Sequence, residues 1–96
     1  MTRQTVLATL QAHQADLRAL GVRRLDLFGS VARDDDGPAS DVDVLVEFDR
    51  PVGLFALVRL QHWLERLLGR RVDVTTAGAL RPDMRARVTA ELVRAA

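Results

Sequence analysis

The sequence predicts a small α/β fold with three strands and about four helices. Three runs have the composition of strands, and they are Val22–Phe28, Asp41–Phe48 and Arg70–Thr75. Around and between them, apolar residues recur at the three- and four-residue spacing of amphipathic helices. These two patterns define the fold class, and the composition limits its size.

Length and composition predict one domain, residues 1–96. With 48% hydrophobic residues, the chain can build a single core. A formal charge of +1 excludes a polycationic surface, so we expect no direct nucleic-acid binding. The absence of cysteine excludes disulfides and thiolate metal sites. No apolar run approaches the ~18 residues of a membrane span, and we expect a soluble cytoplasmic protein.

The first predicted helix runs from about Thr5 to Leu20 and stops at Gly21. Its apolar stripe consists of Val6, Leu10, Leu17 and Leu20. His13 fills the stripe between them, and we interpret it as a half-buried residue rather than a ligand.

The first strand, Val22–Phe28, ends in the turn Gly29-Ser30, and residues 31–33 can form one helical turn. A strand that leads through such a turn into a helix directs backbone N–H groups at one point, which favours an anion site. By itself this signal is weak.

An acidic loop at residues 34–40 precedes the second strand, Asp41–Phe48, whose Val and Leu content predicts a central position in the sheet. Asp41 and Asp43 share one face of that strand because side chains alternate. Two like charges this close are unfavourable. A hard divalent cation bound by both carboxylates would remove the conflict.

The longest predicted helix, Val52–Leu68, has a broad apolar arc and a narrow polar strip. The strip consists of Arg59, His62 and Arg66. Either the helix is largely buried, or its flank around Trp63 docks a partner. We prefer partner docking because a small domain has limited interior.

The third strand, Arg70–Thr75, places Asp73 on the face opposite its two valines. A short turn at residues 77–80 and a last helix that begins near Pro82 follow. The stripe of that helix consists of Leu80, Met84, Val88 and Leu92. Spacing places Glu91 to pair with Arg87 or Arg94.

Gly29-Ser30, ten intervening residues and a hydrophobic-flanked Asp41-x-Asp43 resemble the signature of the DNA polymerase β-like nucleotidyltransferase superfamily. The fuller strings at residues 29–33 and 40–43 resemble its minimal nucleotidyltransferases in particular. Members of that group are stand-alone domains of about this length, often encoded beside a HEPN ribonuclease toxin as its antitoxin. The resemblance spans essentially the whole chain, since residues 72–75 and the arginine-rich last helix also match.

The resemblance implies a fold, a cofactor and a set of site residues. The fold would be a small mixed sheet of three to four strands with helices packed on it. Asp41, Asp43 and Asp73 would be the catalytic residues and would ligate two Mg²⁺ ions. Gly29 and Ser30 would hold the phosphates of the nucleotide. For Arg33, a phosphate contact and a salt bridge to the acidic loop stand as equal alternatives.

One position departs from the resemblance, because Asp34 stands where minimal members commonly carry glycine. A carboxylate in the loop over the phosphates would weaken nucleotide binding by repulsion.

The resemblance implies transfer of AMP from ATP to a hydroxyl, most simply a tyrosine, of a cognate HEPN toxin, with a hetero-oligomer of the two proteins. Two alternatives stay open at this point. One is an antitoxin that acts by binding alone, with a weak or inactive site. The other is a nucleotidyltransferase for a small molecule or RNA.

Overall fold

The fold is a sheet with its main helical layer on one face, seen in a computed structural model that describes residues 2–34 and 41–96. The strands are β1 (Val22–Phe28), β2 (Val42–Phe48), β3 (Val72–Thr76) and β4 (Val93–Arg94). The helices are α1 (Arg3–Ala12), α2 (Gln14–Ala19), α3 (Gly29–Arg33), α4 (Leu54–Leu68) and α5 (Pro82–Glu91), with a short 3₁₀ helix at Ala77–Ala79.

Within the described residues the sheet has four strands in the order β3-β2-β1-β4. Strand β1 is antiparallel to β2 and to β4, whereas β2 and β3 are parallel. The prediction of a mixed sheet of three to four strands is therefore confirmed, as is the central position of β2. The parallel pair needs a crossover between its strands, and α4 supplies it.

The two faces of the sheet have different chemistry. On the core face, valines and leucines of all four strands meet the buried sides of the helices. The fully buried members of this core include Val6, Leu10, Leu25, Leu27, Val31, Val42, Val44 and Leu64. The opposite face carries Asp26, Phe28, Asp43 and Asp73, which alternate with the core residues along their strands.

The first predicted helix is wrong in one respect, because it is broken at His13 into α1 and α2. An uninterrupted helix would bond the N–H of His13 to the carbonyl oxygen of Thr9. Instead the His13 ring nitrogen Nδ1 bonds that oxygen at 2.9 Å, and the backbone N–H donates to Leu10 at 3.1 Å. His13 is half-buried, as predicted, with its ring edge-on to Trp63 at 6.1 Å between centroids.

Helix α4 begins two residues later than predicted and ends at Leu68 as predicted. Gly69 caps it in the left-handed conformation. Trp63 is partly buried against the core, so the flank around it is not a free surface. The exposed apolar side chains of α4 lie at its start instead, where Leu54 is 72% and Phe55 is 85% exposed.

The end of the chain forms a strand that spacing did not predict. One residue separates strand β4 from the end of α5, and Ala95 and Ala96 hydrogen-bond the backbone of Leu25. Ala95 N–H donates to Leu25 O at 2.8 Å, and Leu25 N–H donates to Ala96 O at 3.0 Å. No helix in residues 2–34 and 41–96 is long and apolar enough to cross a membrane.

Candidate active site

The acidic residues predicted to form a site meet at one end of the sheet. Asp43 lies opposite Phe28 in the β1–β2 ladder and opposite Asp73 in the β2–β3 ladder. Paired residues of neighbouring strands point to the same face, so the two carboxylates are adjacent. Asp41 lies exposed just before β2. The structure thus brings Asp43 and Asp73 together from positions thirty residues apart.

Gly29 follows β1 directly, and both its backbone and its surroundings require glycine. Its φ is +74°, a left-handed value that costs other residues free energy. A Cβ atom built on Gly29 would collide with Oδ2 of Asp43 and lie 3.2 Å from its Cγ. The Asp43 carboxylate therefore rests against the main chain of the turn that the sequence predicted as a phosphate site.

The carboxylate of Asp43 is held in an environment that disfavours its charge. Its pKa rises to about 6 because it is partly desolvated and because Asp73 and Asp41 are negative neighbours. The positive charge of Arg33 lowers the pKa and the negative charge of Glu91 raises it, but both effects are smaller. Asp43 therefore lies at the centre of a group of like charges.

This donor set fits a hard divalent cation. Carboxylate oxygens are its preferred ligands, and its charge would offset the repulsion that raises the pKa of Asp43. No three acidic or histidine side chains among the described residues already converge as a ligand cage. Asp41, Asp43 and Asp73 therefore supply the right groups, and their side chains would have to close on the ion.

Ser30 and Arg33 belong to α3, a five-residue helix that starts at Gly29. The predicted helical turn after the glycine is thus confirmed. Ser30 is half-buried at the start of this helix, directly after the glycine that contacts Asp43. The first backbone N–H groups of a helix lack partners within it, as a phosphate-binding turn requires.

Glu91 is a site residue that spacing did not reveal. Its prediction as a partner of Arg87 or Arg94 is wrong, since Glu91 Oε1 pairs with Arg33 Nη1 at 2.9 Å. The other oxygen accepts a long hydrogen bond of 3.4 Å from the N–H of Gly29. Arg33 and Glu91 are fifty-eight positions apart, so only the packing of α5 beside α3 brings them together.

Asp34 adopts the left-handed conformation with φ of +62° at the end of α3. This explains why glycine suits the position, and aspartate is one of the few other residues that tolerate it. The Asp34 carboxylate accepts a hydrogen bond of 3.2 Å from the N–H of Arg3 at the start of α1. It is therefore engaged with α1 and is absent from the charges that act on Asp43. Residues 35–40 of the predicted acidic loop lie outside the described part of the chain.

Comparison with known proteins agrees with this geometry. The family model of the nucleotidyltransferase domain matches residues 11–95. A candidate protein adenylyltransferase of Methanocaldococcus jannaschii is 44% identical over 76% of this chain and 78% of its own. The protein adenylyltransferase MntA of Thermococcus cleftensis is 36% identical over 97% of this chain and 95% of its own.

Solved structures extend the likeness to the fold. A candidate minimal nucleotidyltransferase superposes with a TM-score of 0.83 at 36% identity, over 97% of this chain and 95% of its own. An MNT antitoxin in complex with a tri-AMPylated HEPN toxin of Shewanella oneidensis gives 0.68 at 17% identity, over 94% of this chain and 71% of its own, a likeness of fold alone. The chain belongs to the nucleotidyltransferase domain family, among its minimal members.

Replacement of Gly29 by alanine should damage both stability and the site. The left-handed backbone alone should cost ~1–2 kcal/mol of unfolding free energy. Displacement of the Asp43 carboxylate should also weaken metal-dependent nucleotide binding by about tenfold or more. Denaturant melts and titration calorimetry measure the two effects. Gly78→Ala is the matched control, because a Cβ atom there meets nothing within 4 Å. Equal behaviour of the two variants would contradict the role given to Gly29.

Asp43→Asn should stabilise the metal-free protein at pH 7.5, because it removes a charge from a like-charged cluster. With the repulsion discounted for solvent screening, we expect a gain of about 1 kcal/mol, or ~4–8 °C in Tm. Because the pKa of Asp43 is raised to about 6 from 3.8, its charge destabilises the fold above pH 6 and not below about pH 4. The gain should therefore vanish near pH 4.

The same variant should lose most of the stabilisation that Mg²⁺ gives the unmodified protein. Thermal melts with EDTA or Mg²⁺ at pH 4 and 7.5 measure both effects. The control is Asp83→Asn on α5, where Arg81 lies 3.8 Å away and no gain is expected. A stability loss for Asp43→Asn at pH 7.5 without metal would rule out the electrostatic account.

Asp34→Gly and Asp34→Asn should change nucleotide affinity by less than about twofold, because the carboxylate faces Arg3. If the Asp34 carboxylate repelled the phosphates, removal of its charge would instead tighten nucleotide binding, by up to about fivefold for an exposed pair of charges. Asparagine keeps both the tolerance for the left-handed backbone and an oxygen for the N–H of Arg3. Calorimetric titration with nucleotide separates the two expectations.

Proposed function

We propose that this protein transfers AMP from ATP, with Mg²⁺, to a tyrosine hydroxyl of a HEPN-domain toxin and thereby neutralises the toxin. The observation that carries the proposal is the placement of Asp43 beside Asp73 and against the Gly29 turn. The chain would act as a single domain in the cytoplasm, in a hetero-oligomer with its partner.

The comparisons support the substrate class and the partner. The relative from Thermococcus cleftensis is named as a protein adenylyltransferase, and the one from Methanocaldococcus jannaschii as a candidate protein adenylyltransferase. Two neighbours in fold are a toxin–antitoxin complex with AMP-PNP and an MNT antitoxin with a tri-AMPylated HEPN toxin. AMP-PNP is an ATP analogue, and AMP is the group attached to that toxin, so both agree with ATP as donor.

Asp41, Asp43 and Asp73 would hold the metal. Bound Mg²⁺ would neutralise charge on the phosphate oxygens and lower the barrier to nucleophilic attack. The half-buried position of Asp43 makes its carboxylate a ligand that already lies against the phosphate turn. Asp73, at the start of the edge strand β3, is the more exposed carboxylate of the pair and the more accessible to an incoming acceptor.

In the reaction, the acceptor oxygen forms a bond to the α-phosphorus while the bond to the α–β bridging oxygen breaks, and pyrophosphate leaves. Asp73 accepts the proton of the attacking hydroxyl. Gly29 permits the β- and γ-phosphates to approach the main chain, and the Ser30 hydroxyl donates a hydrogen bond to their oxygens. Arg33 exchanges its ion pair with Glu91 for a phosphate contact.

Binding without catalysis is the second candidate function. Its sequence support was Asp34, and that residue hydrogen-bonds the start of α1. The placement of Asp43 opposite Asp73 favours catalysis over a vestigial site. Transfer to a small molecule or RNA has less support, because the relatives are named as protein adenylyltransferases.

Intact-mass measurement tests the proposal. The protein is incubated with its cognate HEPN protein, ATP and Mg²⁺, and the HEPN protein should gain the mass of one or more adenylyl groups. Asp43→Ala and Asp73→Ala should reduce the transfer rate by at least about a hundredfold, as expected for loss of groups that act on the transition state. Asp83→Ala is the control, because it removes an exposed charge on α5, and this variant should transfer AMP at the normal rate.

The HEPN protein's ribonuclease activity should return to full strength with the Asp43→Ala variant. No mass gain, together with unchanged inhibition by that variant, would sink the enzymatic proposal and favour binding alone. Addition to RNA or a small molecule, with none to the HEPN protein, would favour the third alternative.

A further inference from the structure

A cavity of about 760 Å³ opens on the same sheet face as the carboxylates. Its floor includes Asp26 of β1 and Leu45 of β2, which are paired across the ladder two residues from the pair Phe28 and Asp43. Two residues of strand span about 7 Å, so the cavity begins one side-chain length from Asp43. Its size is within the range of ligand-binding pockets.

The cavity and the turn Gly29-Ser30, which we call the phosphate turn, lie on opposite sides of Asp43 along the strands. β1 and β2 are antiparallel, so Gly29 and Ser30 lie beyond Asp43 toward the start of β2. Leu45, Phe48 and Val52 line the cavity in the other direction. Along the strand axis, the order is therefore phosphate turn, carboxylates, cavity.

This order determines which substrate each end can receive. In transfer to the α-phosphorus, the attacking and leaving oxygens lie roughly in line on opposite sides of the phosphorus. If pyrophosphate leaves toward the Gly29 turn, the attacking hydroxyl must arrive from the side of the cavity. We infer that the cavity binds the tyrosine side chain of the acceptor protein and brings its hydroxyl to Asp43 and Asp73. This inference rests on the proposed function.

The lining of the cavity suits an aromatic acceptor and not a triphosphate. Much of its wall is apolar, from Leu45, Phe48, Val52 and Leu92. Its two arginines are each engaged by an aspartate at 2.9 Å, Arg24 by Asp26 and Arg50 by Asp49. The lining carboxylates Asp26, Glu47 and Asp49 outnumber these two arginines, so a triphosphate would meet a net negative charge. A tyrosine ring would instead meet apolar surface.

Asp26 is a buried carboxylate at the floor of the cavity. It is 3% exposed, and its Oδ1 has no hydrogen-bond partner among the described residues. Buried carboxylate oxygens are seldom left without a donor. Oδ1 is itself buried, so a donor of an acceptor segment would reach it only after the Asp26 side chain turned toward the cavity.

The mouth of the cavity continues into the exposed apolar start of α4. Val52 lines the cavity and is 37% exposed, and Leu54 and Phe55 follow it along the chain with far higher exposure. An acceptor protein that inserts a tyrosine would cover these side chains with the residues that flank it. This continuity favours a protein acceptor over a free small molecule, which would leave them in water.

Filling the cavity tests the inference. Thr89 lines it from α5, whereas the neighbouring Ala90 does not. Thr89→Trp should lower the rate of AMP transfer to the HEPN protein by at least about tenfold, mainly through a higher KM for the acceptor. Affinity for Mg²⁺–ATP, measured by calorimetry without acceptor, should stay within about twofold. Ala90→Trp should behave as the unmodified protein in both assays.

A second pair of variants guards against misfolding. Ala77 lines the cavity and Ala79 does not, although both are exposed residues of the 3₁₀ helix. Ala77→Trp should repeat the effect of Thr89→Trp, Ala79→Trp should have none, and thermal melts verify that each variant is folded.

The outcomes separate the inference from the function beneath it. Normal transfer by folded Thr89→Trp and Ala77→Trp overturns the cavity as acceptor site and leaves the proposed function intact. Loss of Mg²⁺–ATP affinity in both assigns the cavity to the nucleotide and also overturns the inference. Absence of transfer by the unmodified protein defeats the proposed function itself.

Discussion

The in-register parallel pairing of β2 and β3 is the constraint on which the site depends. It places Asp43 directly beside Asp73, and no local sequence feature could do so across thirty residues. A parallel pair cannot be joined by a tight turn, so the chain must cross over through a helix. Helix α4 makes that crossover, and its buried residues Leu60, Leu64 and Leu68 anchor it in the core. The same helix therefore builds the core and aligns the carboxylates.

The alignment of Asp43 with Asp73 costs electrostatic free energy, and packing in the core holds the two strands together against it. Val42 and Val44 flank Asp43 and are fully buried on the core face, and Val72 is buried at the equivalent point of β3. These side chains prevent the strands from separating to relieve the repulsion between the aspartates. The raised pKa of Asp43 reflects its partial desolvation first and this repulsion second. A cluster of like charges of this kind lowers the stability of the fold, and a bound cation would restore it.

Most of the sheet could be predicted because its signals are local. Side-chain period and Val–Leu content predict the bounds of β1 and the central position of β2, and Gly69 marks the end of α4. Failures occurred where one side chain outweighs a pattern. The imidazole of His13 bonds the carbonyl oxygen that would continue the first helix. Trp63, predicted to lie on a free docking flank, packs partly against the core. Strand β4 is too short to have a recognisable period.

The sequence by itself determined which groups are available, since residue type and spacing single out Gly29, Asp41, Asp43 and Asp73 and the family they resemble. Only the tertiary structure decided their environment. It brought Glu91 to Arg33 from fifty-eight positions away, turned Asp34 toward Arg3, and opened a cavity beside the carboxylates. The physical reason is that chemical identity is local, whereas desolvation, like-charge repulsion and cavity shape depend on elements distant in the chain.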